Sequence, residues 1–278
     1  MSSKAMRLKG KIKNYAKQHN IAAQVVLQNY MFERLLERLS LSEFNNKFII
    51  KGGVLVAAIV GLDDRSTMDL DTTLRNLPLT PDQLEKAIHS IISIELNDNV
   101  HFEVKSIEPI RKEDIYGGYC IRLDAIFDSI VTPLSIDVST GDVITPNALQ
   151  YEMNGIFNED LKINLWGYNI ETILAEKVQT ILSRSVFSTR PKDFYDIYIL
   201  ATTQTYSPKT FVEAFVATTA HRETIDISSN SIEIFNTISA SNSLRISWTK
   251  YQQKFPYAKE IQYDDILTIL KTLITHLN

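Results

Sequence analysis

Residues 50–71 read Ile-Lys-Gly-Gly-Val-Leu-Val-Ala-Ala-Ile-Val-Gly-Leu-Asp-Asp-Arg-Ser-Thr-Met-Asp-Leu-Asp, and the rest of the chain is organised around them. An apolar run, Phe48-Ile49-Ile50, leads into Gly52-Gly53; a short apolar helix is expected next, and the stretch closes on Asp69-Leu70-Asp71. A strand over 68–72 would send successive side chains to opposite faces, so that Asp69 and Asp71 point the same way. Two carboxylates about 7 Å apart along one strand face suit hard divalent cations such as Mg2+. Glycines lack a Cβ and let the backbone approach a ligand closely, and a helix start offers free N–H groups to phosphate. These are the parts of a site for a metal and a phosphate. A bare Asp-x-Asp is equally what a solvated strand end looks like; the preceding Gly-Gly and the helix-length spacer favour the site.

Around this stretch lie 278 residues, enough for one large domain or two modest ones. A hydrophobic content of 44% and a charged content of 22% are those of an ordinary globular chain. The net charge of −4 gives no whole-molecule attraction to nucleic acid, so any such binding must rest on a local patch. One cysteine, Cys120, excludes an internal disulfide and fits a reducing cytoplasm; as a free thiol in a strand pattern it suits a packing role better than a nucleophilic one. No run approaches the ~20 apolar residues of a membrane span, and the first residues lack the apolar core of a signal peptide. A cytoplasmic protein without membrane contact is expected.

Residues 1–20 carry Lys4, Arg7, Lys9, Lys11, Lys13 and Lys17 and no acid. Such a run is either a solvated helix face or arm, or a basic element that touches an RNA backbone. From Ile21 the apolar positions Ile21, Val25, Phe32, Leu36 and Leu39 fall on one helical face, with Glu33, Arg34, Glu37 and Arg38 mostly off it. Thr80-Pro81-Asp82-Gln83 is a helix start with Thr80 as N-cap, Pro81 at the first helical position and Gln83 completing a capping box; Leu84, Ile88, Ile91 and Ile92 form its apolar stripe. Residues 100–106, 119–125 and 133–138 alternate as half-buried strands. The fold class expected is α+β, with a mixed or antiparallel sheet in an amino-terminal lobe. Beyond Trp166 helices dominate: one capped by Asn169 with the stripe Ile170, Ile173, Leu174, Ile181 and Leu182, another opening at Pro191, and others near 208–220, 230–238 and 264–277. The expected domains are 1–165 and a helical 166–278 that completes the active-site cleft.

Three further positions could carry chemistry. Asp137, in Leu134-Ser135-Ile136-Asp137-Val138, is either a third carboxylate for the site or a strand edge. Lys177 falls on the apolar stripe of its own helix, three and four positions from Ile173, Leu174 and Ile181. It must snorkel out, pair with Glu171 or Glu176, or aim into a polar cavity towards a triphosphate. In Arg190-Pro191-Lys192-Asp193-Phe194-Tyr195-Asp196, Pro191 begins a helix that places Asp193 and Asp196 on one face. There Asp193 suits the helix dipole and Lys192 can pair with Asp196. The five histidines show no zinc-ligand spacing, and no Gly-x-x-x-x-Gly-Lys-Ser/Thr loop exists.

Lys51-Gly52-Gly53, Arg65-x-Thr67-x-Asp69-Leu70-Asp71, Lys177 and Arg190-Pro191-Lys192-Asp193-x-x-Asp196, in that order, closely resemble the AbiEii/AbiGii toxins of type IV toxin–antitoxin and phage abortive-infection systems. That family belongs to the DNA polymerase β-like nucleotidyltransferase superfamily, and the resemblance spans about residues 45–200. It implies a nucleotidyltransferase fold and an enzyme that transfers a nucleoside monophosphate from an NTP to RNA, with the tRNA 3′ end as acceptor. Mg2+ is the implied cofactor, two ions about 4 Å apart, on Asp69, Asp71 and Asp137. Asp69, Asp71, Lys177 and Asp193 take the catalytic roles, and Lys51, Gly52, Gly53, Arg65, Thr67 and Asp196 bind nucleotide. A separately encoded antitoxin, often a winged-helix DNA-binding repressor, is the implied partner. The chain departs from the wider superfamily in having Gly53 where a serine is common and a slightly longer spacer before Asp69. Two other readings remain: an Asp-x-Asp glycosyltransferase, disfavoured by the Gly-Gly ahead of the aspartates, and a non-enzymatic nucleotide-binding module.

Overall fold

The computed structural model describes residues 2–63, 65, 67–110 and 117–277, so Asp64 and Ser66 of the central stretch lie outside the described residues. The chain divides into two units, Met1–Asp142 with Leu149–Gly167, and Val143–Ala148 with Tyr168–Asn278. It is α+β, as the pattern predicts.

The first unit is built on a seven-stranded mixed sheet: β1 (Phe48–Lys51), β2 (Leu70–Leu74), β3 (Val100–Ile110), β4 (Gly118–Phe127), β5 (Ile130–Thr140), β6 (Leu149–Asn154) and β7 (Lys162–Gly167), in the order β3-β4-β5-β2-β1-β7-β6. The pairs β2–β5 and β1–β7 are parallel and the others antiparallel. On β4, Ile121, Leu123, Ala125 and Phe127 point to the buried face; on β5, Ile130, Leu134, Ile136 and Val138 do the same. Period-two alternation is the mark of a sheet covered on one side, and α2 (Ala23–Leu41) and α4 (Pro81–Ile92) pack against it. The three strands read from alternation all run further than expected. The pair β6 and β7 was not expected at all: β6 has no buried residue and so carries little apolar signal.

The strand expected over 68–72 begins two residues later, at Leu70, so Asp69 precedes it and Asp71 is its second residue. In α4 the Thr80 hydroxyl accepts the Gln83 N–H at 3.3 Å, and Leu84, Ala87, Ile88 and Ile91 are buried. The basic run at the start folds as α1 (Ser3–Gln18), whose Ala5, Leu8, Ile12 and Ala16 are buried while its six cations stay exposed. Burial on α2 corrects a simple amphipathic reading, because Glu33, Arg34 and Arg38 are as buried as the apolar stripe. The reason is pairing. Arg34 holds Glu33 and Glu37, and Arg38 forks onto Asp98 at 2.8 and 3.0 Å. Charges that would otherwise need water are then paired inside, although Nε of Arg34 and of Arg38 has no hydrogen-bond partner.

The second unit is helical: α5 (Ile170–Arg184), α6 (Pro191–Thr203), α7 (Pro208–His221), α8 (Asp226–Ser229), α9 (Ser231–Ser239), α10 (Asn242–Lys254) and α11 (Tyr263–Thr275). Asn169 caps α5 by accepting the Thr172 N–H at 2.8 Å, and its amide also donates to the Thr145 and Asn147 carbonyls, which ties residues 143–148 to the start of that helix. Tyr195, Tyr251, Phe255 and Tyr257 cluster in this unit, and Trp248 stacks on Tyr251 at 5.3 Å between centroids. No helix among the described residues is long and apolar enough to cross a membrane.

Arg38 is only 2% exposed and also donates to the Arg34 and Val100 carbonyls, so it joins α2 to the beginning of β3. Arg38→Ala leaves Asp98 unpaired and is expected to cost about 3–5 kcal/mol in urea denaturation, whereas the paired change Arg38→Met with Asp98→Asn costs less. A loss under ~1 kcal/mol for Arg38→Ala would show that the pair does not hold the unit together.

Candidate functional site

The site grows from the β1–α3 junction, where α3 spans Gly52–Val60. Gly52 sits at φ +65°, a conformation that side chains other than glycine resist. A Cβ built on it would lie 2.0 Å from Oδ2 of Asp71. The space beside Gly52 is therefore filled by the carboxylate itself. A Cβ on Gly53 would meet the Thr67 hydroxyl at 2.5 Å and a guanidinium nitrogen of Arg65 at 3.3 Å. The two glycines are demanded by the segment that returns from α3, and this close approach fixes where Asp71, Thr67 and Arg65 stand. The Thr67 hydroxyl occupies the position from which a residue-53 side chain would start, which gives a steric reason for glycine there.

Register across the sheet assembles the rest. Lys51 pairs with Asp71 across β1–β2, Asp71 with Asp137 across the parallel β2–β5 pair, and Asp137 with Cys120 across β5–β4. Partners in register share a face, so Lys51, Asp71, Asp137 and Cys120 form one row on the face opposite the apolar one. Asp71 and Asp137 are half-buried and Asp69, just before β2, is exposed. The Asp137 carboxyl is pushed above the usual carboxylate range, first by burial and then by the like charges of Asp71 and Asp69; a hydrogen bond from Cys120 and the charge of Lys51 oppose the rise. The three aspartates thus feel one another electrostatically. Among the described residues no three carboxylate, histidine or thiol groups close into a metal cage. The raised carboxyl of Asp137, with Asp71 beside it in register, is a hard oxygen donor of the kind a divalent cation takes.

Several neighbours were not singled out from sequence. The buried amide of Gln28 donates to the Met68 carbonyl at 2.7 Å, and that of Asn29 donates to the Thr67 carbonyl at 2.9 Å. Both come from α2 and pin the backbone just ahead of Asp69. A polar amide on an otherwise apolar helix is the only local signal for them. Lys51 Nζ is held at 2.7 Å by the Ser139 hydroxyl and at 2.5 Å by Asp142, beyond the end of β5. Its ammonium is thus committed to a carboxylate in its own unit. Cys120 lies 3.1 Å from the Ser135 hydroxyl as well as beside Asp137. A hollow of about 510 Å³ adjoins Asp69, with Lys105, Arg122, Asp124 and Ser135 on its walls.

In the helical unit Lys177 neither snorkels out nor relies on Glu171 or Glu176. Its ammonium lies 2.6 Å from Asp193 and 2.9 Å from Asp196, two carboxylates that are 1% and 0% exposed. Arg190 Nε faces the other Asp193 oxygen at 2.8 Å, out of line for a hydrogen bond. Asp193 and Asp196 do share one helical face, and their common partner is the lysine on α5.

The chain matches the family model described as Nucleotidyl transferase AbiEii toxin, Type IV TA system, over residues 34–269. Among solved structures, a protein from H. pylori described as a candidate nucleotidyltransferase is 14% identical, covers 92% of this chain and 97% of its own, and has a TM-score of 0.48. JHP933 from Helicobacter pylori gives the same identity and TM-score with coverage of 92% and 94%. An antigenic nucleotidyltransferase-like protein from Paracoccidioides brasiliensis is 16% identical, with coverage of 86% and 93% and a TM-score of 0.34. Likenesses this distant say nothing about activity. No curated protein matches the chain.

Gly52→Ala is expected to lose roughly 1–2 kcal/mol to the left-handed backbone and more to the clash with Asp71. Asp71→Ala removes the carboxylate contacts at 2.0 and 2.8 Å and leaves only Cβ at 2.9 Å, so a double-mutant cycle in urea should give a coupling of at least about 0.5 kcal/mol; simple additivity would refute the close contact. A second outcome concerns Asp137. A carboxyl whose folded pKa is raised is destabilising once ionised, so stability falls as pH rises from the ordinary carboxylate range through the folded value. Without divalent metal, Asp137→Asn should therefore raise Tm at pH 7 and give no gain at pH 3. A gain of equal size at both values would exclude the electrostatic cause.

Proposed function

The chain belongs to the AbiEii nucleotidyl transferase toxin family of type IV toxin–antitoxin systems, and on that premise we propose that it transfers a nucleoside monophosphate from an NTP to an RNA acceptor, the tRNA 3′ end. The observation that carries this reading is the row formed by Asp71 and Asp137, paired in register on adjacent parallel strands, with Asp71 seated against Gly52 at the start of α3. An acceptor hydroxyl would attack the α-phosphorus, the α–β phosphoanhydride bond would break, and pyrophosphate would leave. Divalent cations, Mg2+ by preference, held by Asp69, Asp71 and Asp137, would supply charge neutralisation at the triphosphate and lower the barrier to hydroxyl attack.

The chain's own residues divide the remaining work. Gly52 and Gly53 bring the first N–H groups of α3 close to the aspartates, where an anionic phosphate is favoured. Arg65 and Thr67, packed against Gly53, offer a guanidinium and a hydroxyl beside that helix start. Lys51 is assigned a supporting role: through Asp142 and Ser139 it ties the end of β1 to β5 and lowers the negative potential around Asp137. In the helical unit Asp193 orients the Lys177 ammonium and Asp196 holds it from the other side. A cognate antitoxin restraining this activity in the cytoplasm, and a place in phage defence, complete the reading.

The test is incubation of the protein with each α-labelled NTP, Mg2+ and total tRNA, with labelled RNA and released pyrophosphate then measured. Wild type should label RNA with at least one NTP. Asp71→Asn should lower transfer on the order of 10²- to 10³-fold, the scale for losing one charge-stabilising group, while circular dichroism stays native. Tight nucleotide binding without transfer from any NTP would sink the enzyme reading and leave a binding module.

A further inference from the structure

The cations of α1 take no part in the site around Asp71. Lys4, Arg7, Lys9, Lys11, Lys13 and Lys17 are all exposed along one helix, in a chain whose net charge is −4. The segment contains no acid. Among the described residues Arg7, Lys9, Lys13 and Lys17 have no carboxylate at ion-pair distance. Lys4 contacts the Asn99 side chain at 2.7 Å, and Lys11 lies over the Phe157 ring at 6.0 Å.

Lys4, Arg7 and Lys11 follow one ridge of α1 and line a hollow of about 560 Å³. The acids on its walls are already engaged by arginines of α2. Glu33 and Glu37 face Arg34, and Asp98 accepts both arms of Arg38. Two arginines against three acids leave one negative charge, and the three cations of the α1 ridge outweigh it. Asn97, Asn99 and Asn158 add amides able to donate to phosphate or ribose oxygens. The ridge from Lys4 to Lys11 extends over about 10 Å at 1.5 Å per residue, and Lys9, Lys13 and Lys17 follow a second ridge on the other side of the buried stripe. A small anion would need them to converge on one point. Exposed cations spaced along two ridges rather than gathered at one point suit a polymer that carries a charge on every unit.

We propose that α1 and the hollow beneath Lys4, Arg7 and Lys11 dock the phosphodiester backbone of the RNA acceptor. This rests on the nucleotidyl-transfer reading for its choice of RNA, but it concerns binding and stands apart from the chemistry. Phosphate contacts of this kind position a nucleic acid without reading its sequence. The same surface would make affinity strongly salt-dependent despite the acidic overall charge.

The test uses the full-length protein and fluorescein-labelled total tRNA in an anisotropy titration over a KCl series, without NTP or Mg2+. Arg7→Glu with Lys11→Glu should weaken binding about tenfold or more and reduce the slope of log K against log[salt] by about two. Lys86→Glu with Lys271→Glu, exposed cations elsewhere, should leave both unchanged. If the glutamate pair lowers Tm, Arg7→Gln with Lys11→Gln gives the same reading with good helix formers. Equal RNA affinity of the α1 variant and wild type, or no tRNA binding by wild type, overturns the proposal; so does loss of binding to the cognate antitoxin with RNA affinity intact. RNA binding that weakens as expected in a protein that transfers no nucleotide would sustain the docking surface and remove only the transferase reading.

Discussion

The contact on which the candidate site depends is the approach of the Asp71 carboxylate to Gly52. No side chain can stand at residue 52, both because its backbone is left-handed and because the carboxylate occupies the volume a Cβ would take. One residue on, the backbone is helical and crowding alone acts, from Thr67 and Arg65 against Gly53. Arg65 and Thr67, ahead of β2, are thus pressed against the start of α3. The glycine pair at the start of α3 and the Asp71 carboxylate are brought together by packing alone.

Residues 67–69, just ahead of β2, are irregular, and irregular backbone needs partners for its polar groups. Gln28 and Asn29 supply them from α2, donating to the carbonyls of Met68 and Thr67. A helix that would otherwise serve only as apolar backing for the sheet therefore also sets the height of the Asp69 loop. The arrangement explains why α2 is buried almost all round, with its polar residues turned to specific acceptors.

Both units solve the burial of charge in the same way. The two terminal nitrogens of Arg38 donate to both oxygens of Asp98 and to two carbonyls, leaving Nε without a partner, and Lys177 lies against Asp193 and Asp196. In each case the ion is held at low exposure by a partner from another element, which makes loss of one member far more damaging than replacement of the whole set. For Lys177 the consequence is directional: its ammonium is fixed between two carboxylates on α6, so whatever it serves must accept that orientation.

Local pattern alone determined the Gly-Gly turn, the aspartates after it, the capped starts of α4 and α5, and the strand alternation of β3, β4 and β5. Each of these signals is contained in a few consecutive residues: a missing Cβ, a capping hydroxyl or amide, a period of two or of 3.6. The exposed β6 carried no such signal, and the first strand residue after Met68 slipped by two because charged Asp69 alternates as well outside a strand as within it. Only the tertiary structure decided which charges meet. Asp137 stands beside Asp71 through parallel pairing of strands more than fifty residues apart, Lys51 reaches Asp142, and Lys177 lies between Asp193 and Asp196 rather than beside its own helix's glutamates. The pairing of distant elements fixes those neighbours, and sequence spacing holds no record of it: the sequence could name the carboxylates, but only strand register could put them in one row.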